Sequence, residues 1–247
     1  MDENVTPLTE HLAELRKRLI ICLAAAGIGF IVSYNFSAHL FKILTLPLFA
    51  VLPDQNTMIF TGLSEGFFTY LKVSLISGIM LASPVIFYQL WAFISPGLYS
   101  SEKRYILPFT FFSVLFFITG ALFGYFVIFP FAFKFFLSFN TENITALPAM
   151  KEYLTFSIKL LLAFGVAFEL PVFIIFLNKV GLIPLEMLTK NRKYVIIGAF
   201  ITSAILTPPD VVTQILMAFP LMLLYEVGII GARLFGKKKH SNESNKE

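Results

Sequence analysis

The chain is poor in the groups on which most soluble chemistry depends. Its 247 residues include one cysteine and three histidines, and only 14% are charged. A lone cysteine, Cys22, excludes an intramolecular disulfide, and its place inside an apolar run makes it a small apolar filler. No HExxH, Walker loop or CxxC occurs, so no familiar metal, nucleotide or redox motif is present. His11, His39 and His240 fall outside the apolar runs, which argues against a histidine-based site within them. The N-terminus is expected not to be a cleavable signal: Asp2, Glu3, Glu10 and Glu14 precede an apolar run long enough to be retained. No low-complexity linker divides it either. One domain is expected over 1–236, with a charged, disordered tail at 237–247.

What is present is hydrophobic. Apolar residues make up 57% of the chain and aromatics 16%, with a mean hydropathy of +0.80. A soluble domain of this size could not solvate that composition, so the sequence reads as an integral membrane protein. Six stretches can span: Leu19 to Phe36, Phe67 to Phe93, Tyr105 to Phe136, Tyr153 to Asn178, Tyr194 to Leu206 and Val211 to Phe235. Each is a continuous apolar run, not an alternating one, so helices are expected over a β-barrel. The fold class is all-α: six transmembrane helices in a concave bundle. The net charge of +4 is not a nucleic-acid footprint, because its distribution accounts for it. One set of ends holds most of the cations, among them Arg16, Lys17, Arg18, Lys103, Arg104, Arg192 and Lys193; the other holds only Lys42, Lys134 and Lys151. The positive-inside rule then places both termini in the cytoplasm.

Local signals fill in the organisation. Thr6-Pro7 is a helix start, and Leu8, Leu12, Leu15 and Leu19 share one face, which predicts an interfacial helix leading into the first span. The outer connection from Ser37 to Leu63 carries Leu40, Phe41, Ile43 and Leu44, so it is expected to pack as a cap. Gly120 and Gly124 form a GxxxG suited to close packing inside the bundle. Lys72, Gly78, Pro84 and Val85 match the spacing of Lys159, Gly165, Pro171 and Val172, which suits either a parallel repeat or the ordinary abundance of Gly and Pro in membrane helices. The fifth run is thirteen residues, about 20 Å of helix, against a hydrocarbon core of about 30 Å. Local bilayer thinning or helix association would accommodate it.

One carboxylate, Glu169, lies within LLLAFGVAFELPVFIIFL. A charge at such depth costs on the order of 2.5–3.5 kcal/mol on insertion scales and marks a functional site by default. Pro171 leaves the Ala167 carbonyl without its helical partner, and Gly165, one turn before Glu169, is expected to leave room for water or a neighbouring helix. Glu169 is the acid expected at depth, and a proton-coupled small-solute transporter is the alternative it suggests. That reading needs a polar site built from several helices, whereas the remaining motifs sit on the inner face. An intramembrane protease would need a nucleophile–base pair that the spans do not offer.

Two inner-face segments carry more information. HLAELRKR (11–18) pairs Glu14 with Arg18 at i,i+4, and FISPGLYSSEKR (93–104) reads as a Pro-Gly turn with Glu102 near the next helix start. Together with AFGVAFELPV around Glu169 and LTPPDVVTQ from Leu206 to Gln214, these segments resemble the TatC family, the large subunit of the twin-arginine protein translocase. The resemblance covers almost the whole chain, in family order. It implies a receptor and core subunit that is not an enzyme and uses no cofactor or metal. That subunit would bind signal peptides bearing two consecutive arginines, and would export folded proteins using the proton-motive force. It also implies TatA- and TatB-like single-span partners, further copies of the chain itself, and a place in the bacterial cytoplasmic membrane. Glu14 and Glu102 match the family's signal-binding carboxylates, with Arg16 and Phe93 in the same motifs. Thr207, Asp210 and Gln214 cluster at the outer turn, where the resemblance implies docking of partner helices; for Asp210 a helix cap is the competing role.

Overall fold

The computed structural model of the chain describes residues 8–52, 57–94, 106–141, 147–207 and 210–235. Every one of the six apolar runs is helical within them. The elements in order are α1 (Leu8–Asn35), α2 (Ser37–Phe49), α3 (Glu65–Ile94), α4 (Ile106–Phe123), a π-turn (Gly124–Ile128), α5 (Phe129–Leu137), α6 (Met150–Val180), α7 (Leu185–Lys190), α8 (Arg192–Leu206) and α9 (Val211–Phe235). A strand-like bridge joins Ile59 to Ala149. The Thr6-Pro7 start, the tail at 237–247 and Glu102 lie outside the described residues.

Four helical stretches are long and apolar enough to cross a membrane: α3, α4 through α5, α6 and α9. Helices α1 and α2 pass that test together but bend by 83° where they meet, so they add a fifth if counted as one broken span. Helix α8 has fifteen residues, about 22 Å, as short as its sequence suggested. Helix α1 runs without a break from the stretch expected to lie at the interface into the first apolar run, with Leu12, Leu15 and Leu19 exposed.

Internal contacts divide the chain into two compact units, residues up to Val166 and residues from Ala167. In the first unit, α1 and α3 touch backbone to backbone. A Cβ placed on Gly29 would lie 2.4 Å from the Gly78 carbonyl oxygen, and one on Gly78 would lie 2.4 Å from the Phe30 nitrogen. Small residues permit this approach, the usual basis of helix association in lipid. Helix α3 also meets α4, where the Trp91 Nε1–H donates to Ser113 Oγ at 2.9 Å inside the core. Gly124 faces Leu160 and Phe164 of α6, and Gly120 is buried. Gly165 does not leave open room: the Phe117 ring fills it, and a Cβ there would lie 2.7 Å from Phe117 Cε2. An aromatic ring from α4 takes the space that a sequence cannot show to be occupied.

Proline defects are repaired by named donors. Pro47, inside α2, has no N–H for the Ile43 carbonyl four residues back. The Tyr125 hydroxyl supplies the donor at 2.5 Å, and the Tyr153 hydroxyl bonds the adjacent Leu44 carbonyl at 2.5 Å. These bonds hold α2 against the π-turn and α6; of the apolar residues expected to pack there, Leu44 is buried and Ile43 is exposed. The π-turn itself precedes Pro130, and the Phe129 N–H donates to the Gly124 carbonyl five residues back. Tyr125→Phe removes the only proton aimed at the Ile43 carbonyl by this route. The expected loss is about 1–3 kcal/mol, read as a lowered unfolding midpoint in detergent, with helix content retained in the folded state.

Glu65 organises the opposite ends of α3 and α6. Its carboxylate accepts the Thr61 N–H at 2.9 Å, the Gly62 N–H at 3.1 Å and the Lys151 N–H at 2.6 Å. The Ile59–Ala149 bridge lies beside it, with Ile59 N–H to Pro148 O at 3.1 Å and Met150 N–H to Ile59 O at 2.8 Å. The connections before α3 and before α6 are thereby tied together.

The second unit comprises the later half of α6 with α7, α8 and α9. Helix α6 runs through Pro171 unbroken and ends at Gly181, whose φ of 84° is the left-handed conformation that favours glycine. Gly228 and Gly231 on α9 admit Ile174 and Ile175 of α6: added Cβ atoms would lie 2.7 and 2.4 Å from their Cδ1 atoms. Ala199, Ala218, Leu221 and Leu224 form one core cluster with Ala167; Leu188, Tyr225, Ile229 and Ala232 form another with Ile174.

Candidate functional site

The inner-face motif on α1 is built against the end of α3. Residues 11, 14 and 18 follow helical spacing, so they share a face, and that face meets α3. His11 stacks on Phe93 with ring centroids 4.5 Å apart and planes 25° from parallel. The expected i,i+4 ion pair is present: Arg18 Nε donates to Glu14 Oε1 at 2.9 Å, and Nη2 donates to the same oxygen. Arg18 Nη1 reaches across to Gln89 Oε1 at 3.1 Å. Gln89 is one turn before Phe93 on α3, so the two contacts form a single polar and aromatic seam.

The Glu14 side chain is 30% exposed and that of Arg18 22%, so the carboxylate is neither sealed off nor fully in water. Glu14 and Phe93 are thus brought onto one seam. Arg16 lies on another face of α1 and is exposed. Glu102 falls in the undescribed connection after α3. His11 and Gln89 were not singled out from the sequence. The signal that could have found Gln89 is an amide within an apolar run, one turn from Phe93.

The turn between α8 and α9 is a second polar cluster. Asp210 caps α9: its Oδ1 accepts the Thr213 N–H at 2.7 Å, and its Oδ2 accepts the Thr213 hydroxyl. Ser203 Oγ donates to the Gln214 carbonyl at 2.6 Å, and Gln214 Nε2 donates to the Phe200 carbonyl at 3.1 Å. The buried Thr207 hydroxyl donates to the Ser203 carbonyl at 2.9 Å. Thr207, Asp210 and Gln214 are therefore brought together, and their bonds knit α8 to α9. Exposed Ile205, Val211 and Ile215 surround them.

Glu169 is 3% exposed, closer to the Val180 end of α6 than to Met150. It is not the one acid within the apolar helices. Glu226 of α9, about 22 Å along that helix from Val211, pairs with Arg192 at 2.8 Å. The sequence alone hid this pair because its partners lie on different helices. Among the described residues no group of His, Cys, Asp and Glu could hold a metal ion.

These elements define a multi-pass helical membrane protein with one polar seam at the start of α1 and another at the α8–α9 turn. Residues 10–220 match the family model described as Sec-independent protein translocase protein (TatC). The TatC protein of Desulforapulum autotrophicum is 56% identical over 242 residues, covering 98% of this chain and 90% of that one. The TatC of Escherichia coli K12 is 41% identical, with 98% and 93% covered. A crystal structure of the twin arginine translocase receptor TatC superposes with a TM-score of 0.81 at 44% identity, covering 91% of this chain and 98% of that chain. The chain belongs to the TatC family and is a component of a Sec-independent protein translocase. The small-solute transporter suggested by Glu169 alone has no support from these relatives.

Proposed function

We propose that the chain is the receptor and core subunit of a twin-arginine translocase in the bacterial cytoplasmic membrane, crossing it six times with both termini in the cytoplasm. The observation that carries this reading is the partly exposed Glu14 carboxylate on the α1–α3 seam, in a chain whose relatives include the twin arginine translocase receptor. Two guanidinium groups call for two carboxylates, each able to take one fork bidentately. Glu14 is one, and Glu102 is the other by its place in the same motif set. Phe93, stacked on His11, adds an aromatic surface to the seam that holds Glu14, and Arg16 lies on the same helix as Glu14. Lysine cannot reproduce two fork contacts.

Single-span TatA- and TatB-like helices dock at the α8–α9 turn, where Thr207, Asp210 and Gln214 offer polar groups amid exposed apolar side chains. The short α8 favours a locally thinned bilayer there. Glu169 is the intramembrane element of the assignment: a carboxylate buried in an apolar helix costs a few kcal/mol, which packing alone does not require. Further copies of the chain complete the assembly, and the proton-motive force drives export. The reading needs no cofactor and no covalent step.

The test is complementation. A strain lacking the protein is expected to retain a folded twin-arginine reporter in its cytoplasm, and the wild-type chain to restore export. Gln214→Leu is expected to fail to restore export and to lose co-purification with a TatA- or TatB-like helix, while cross-linking to the signal peptide survives. Loss of both contacts, or of neither, overturns the docking assignment. Export without the protein overturns the whole reading.

A further inference from the structure

We propose that Arg18 is a resident competitor for the Glu14 carboxylate, so that an incoming guanidinium binds as a fork only by displacing it. The proposal rests on Glu14 being a signal-peptide carboxylate. An ionised carboxylate offers about four lone-pair positions, two on each oxygen. Arg18 directs both Nε and Nη2 to Oε1, which uses the positions on that oxygen. A bidentate guanidinium needs one position on each oxygen. Arg18 must therefore surrender at least one bond before a ligand arginine can seat.

The third Arg18 bond makes that exchange feasible. Its Nη1 is held by Gln89 on α3 at 3.1 Å, an acceptor independent of Glu14. When the carboxylate is taken, the guanidinium keeps a fixed partner. With no ligand present, Arg18 neutralises a carboxylate that would otherwise attract any passing cation.

The thermodynamic signature is specific. A two-state site whose competent form is only partly populated loses apparent affinity by that fraction for any ligand that needs that form. A lysine ammonium can bond the free Oε2 without displacing Arg18, so the loss falls on the arginine fork. Arg18 therefore sets the threshold for capture of a fork and narrows the preference for arginine over lysine that fork geometry gives. Surrendering a partly exposed ion pair corresponds to a reduction in affinity of up to about fivefold; the Gln89 bond, kept in both states, adds nothing to it.

The experiment titrates the full chain in nanodiscs with a fluorescent twin-arginine signal peptide and with its twin-lysine counterpart. Arg18→Lys keeps the charge and loses the fork; it is expected to tighten the twin-arginine peptide roughly threefold and the twin-lysine peptide by less than about twofold, and Arg18→Gln to tighten the twin-arginine peptide by up to about fivefold. Lys17→Gln removes an equal charge from an exposed position and is expected to change either affinity by less than about twofold. Weaker or unchanged binding in Arg18→Lys overturns the proposal, because Arg18 would then position Glu14 or act only through its charge. Glu14→Gln separates the two failures. If it leaves wild-type affinity intact, the receptor reading of Glu14 falls and the competitor with it. If it abolishes binding and Arg18→Lys does not tighten it, only the competitor falls.

Discussion

Gly78→Leu is expected to yield no correctly assembled protein. The atoms that a Cβ at position 78 would meet are backbone: Phe30 N at 2.4 Å, Gly29 C at 2.7 Å and Phe30 Cα at 2.7 Å. A side chain can rotate away from an intruder, but a helix backbone cannot, so α1 and α3 must separate along their whole crossing. Overpacking a fitted core ordinarily costs about 1–3 kcal/mol, and a contact made only of backbone belongs at or beyond the top of that range. Separation would also pull His11 from Phe93 and Arg18 from Gln89, since those contacts depend on the same α1–α3 register. The control is Gly27→Ala, one helix position pair away, where nothing lies within 4 Å. It is expected to be neutral or to stabilise by up to about 1 kcal/mol through helix propensity. Engineered cysteines joining the ends of α1 and α3 should cross-link in Gly27→Ala and fail to do so in Gly78→Leu. Efficient cross-linking and a monodisperse elution profile for Gly78→Leu would show that the close approach is dispensable.

The contrast between what the sequence conveys and what it withholds follows contact range. Every long apolar run becomes a helix because lipid leaves backbone polar groups no alternative partner, and that rule needs no knowledge of tertiary structure. The Asp210 cap and the Glu14–Arg18 pair are equally legible, since their partners are three and four residues apart. Helix α2 was legible only as apolar material to be packed: it is thirteen residues long and contains Pro47; the donor for Ile43 comes from Tyr125, 82 positions away, and a further bond to Leu44 from Tyr153, 109 positions away. Gly165 shows the same limit in reverse, because its missing side chain looked like space until Phe117 was found in it. Glu226 is paired with Arg192 across 34 positions, and Gln89 with Arg18 across 71. In the candidate site, motif resemblance supplied Glu14 and Phe93, while the helix register that unites them with His11 and Gln89 exists only in the folded chain.

The paired substitution Glu14→Gln with Glu102→Ala is expected to abolish capture of a twin-arginine peptide. Removing one partner of a hydrogen-bonded charge pair costs roughly 2–5 kcal/mol when the pair is buried. The Glu14 side chain retains 30% exposure, so solvent screening places its contribution near the lower bound, about 2 kcal/mol or some thirtyfold in affinity. Two such carboxylates, each engaging its own guanidinium, contribute nearly independently, and their joint loss is expected to weaken binding by about a thousandfold. Glutamine at position 14 keeps an amide oxygen for Arg18, so the α1–α3 seam retains an acceptor and the effect on binding is not an effect of unfolding. Titration at two salt concentrations sharpens the result. Wild-type affinity should fall as salt rises, because charge–charge attraction at a partly exposed site is screened, and the double variant should lose most of that dependence. Unchanged cross-linking of the peptide to Glu102→Ala would remove Glu102 from the site. A double variant that keeps both its affinity and its salt dependence would place the guanidinium groups elsewhere on the chain.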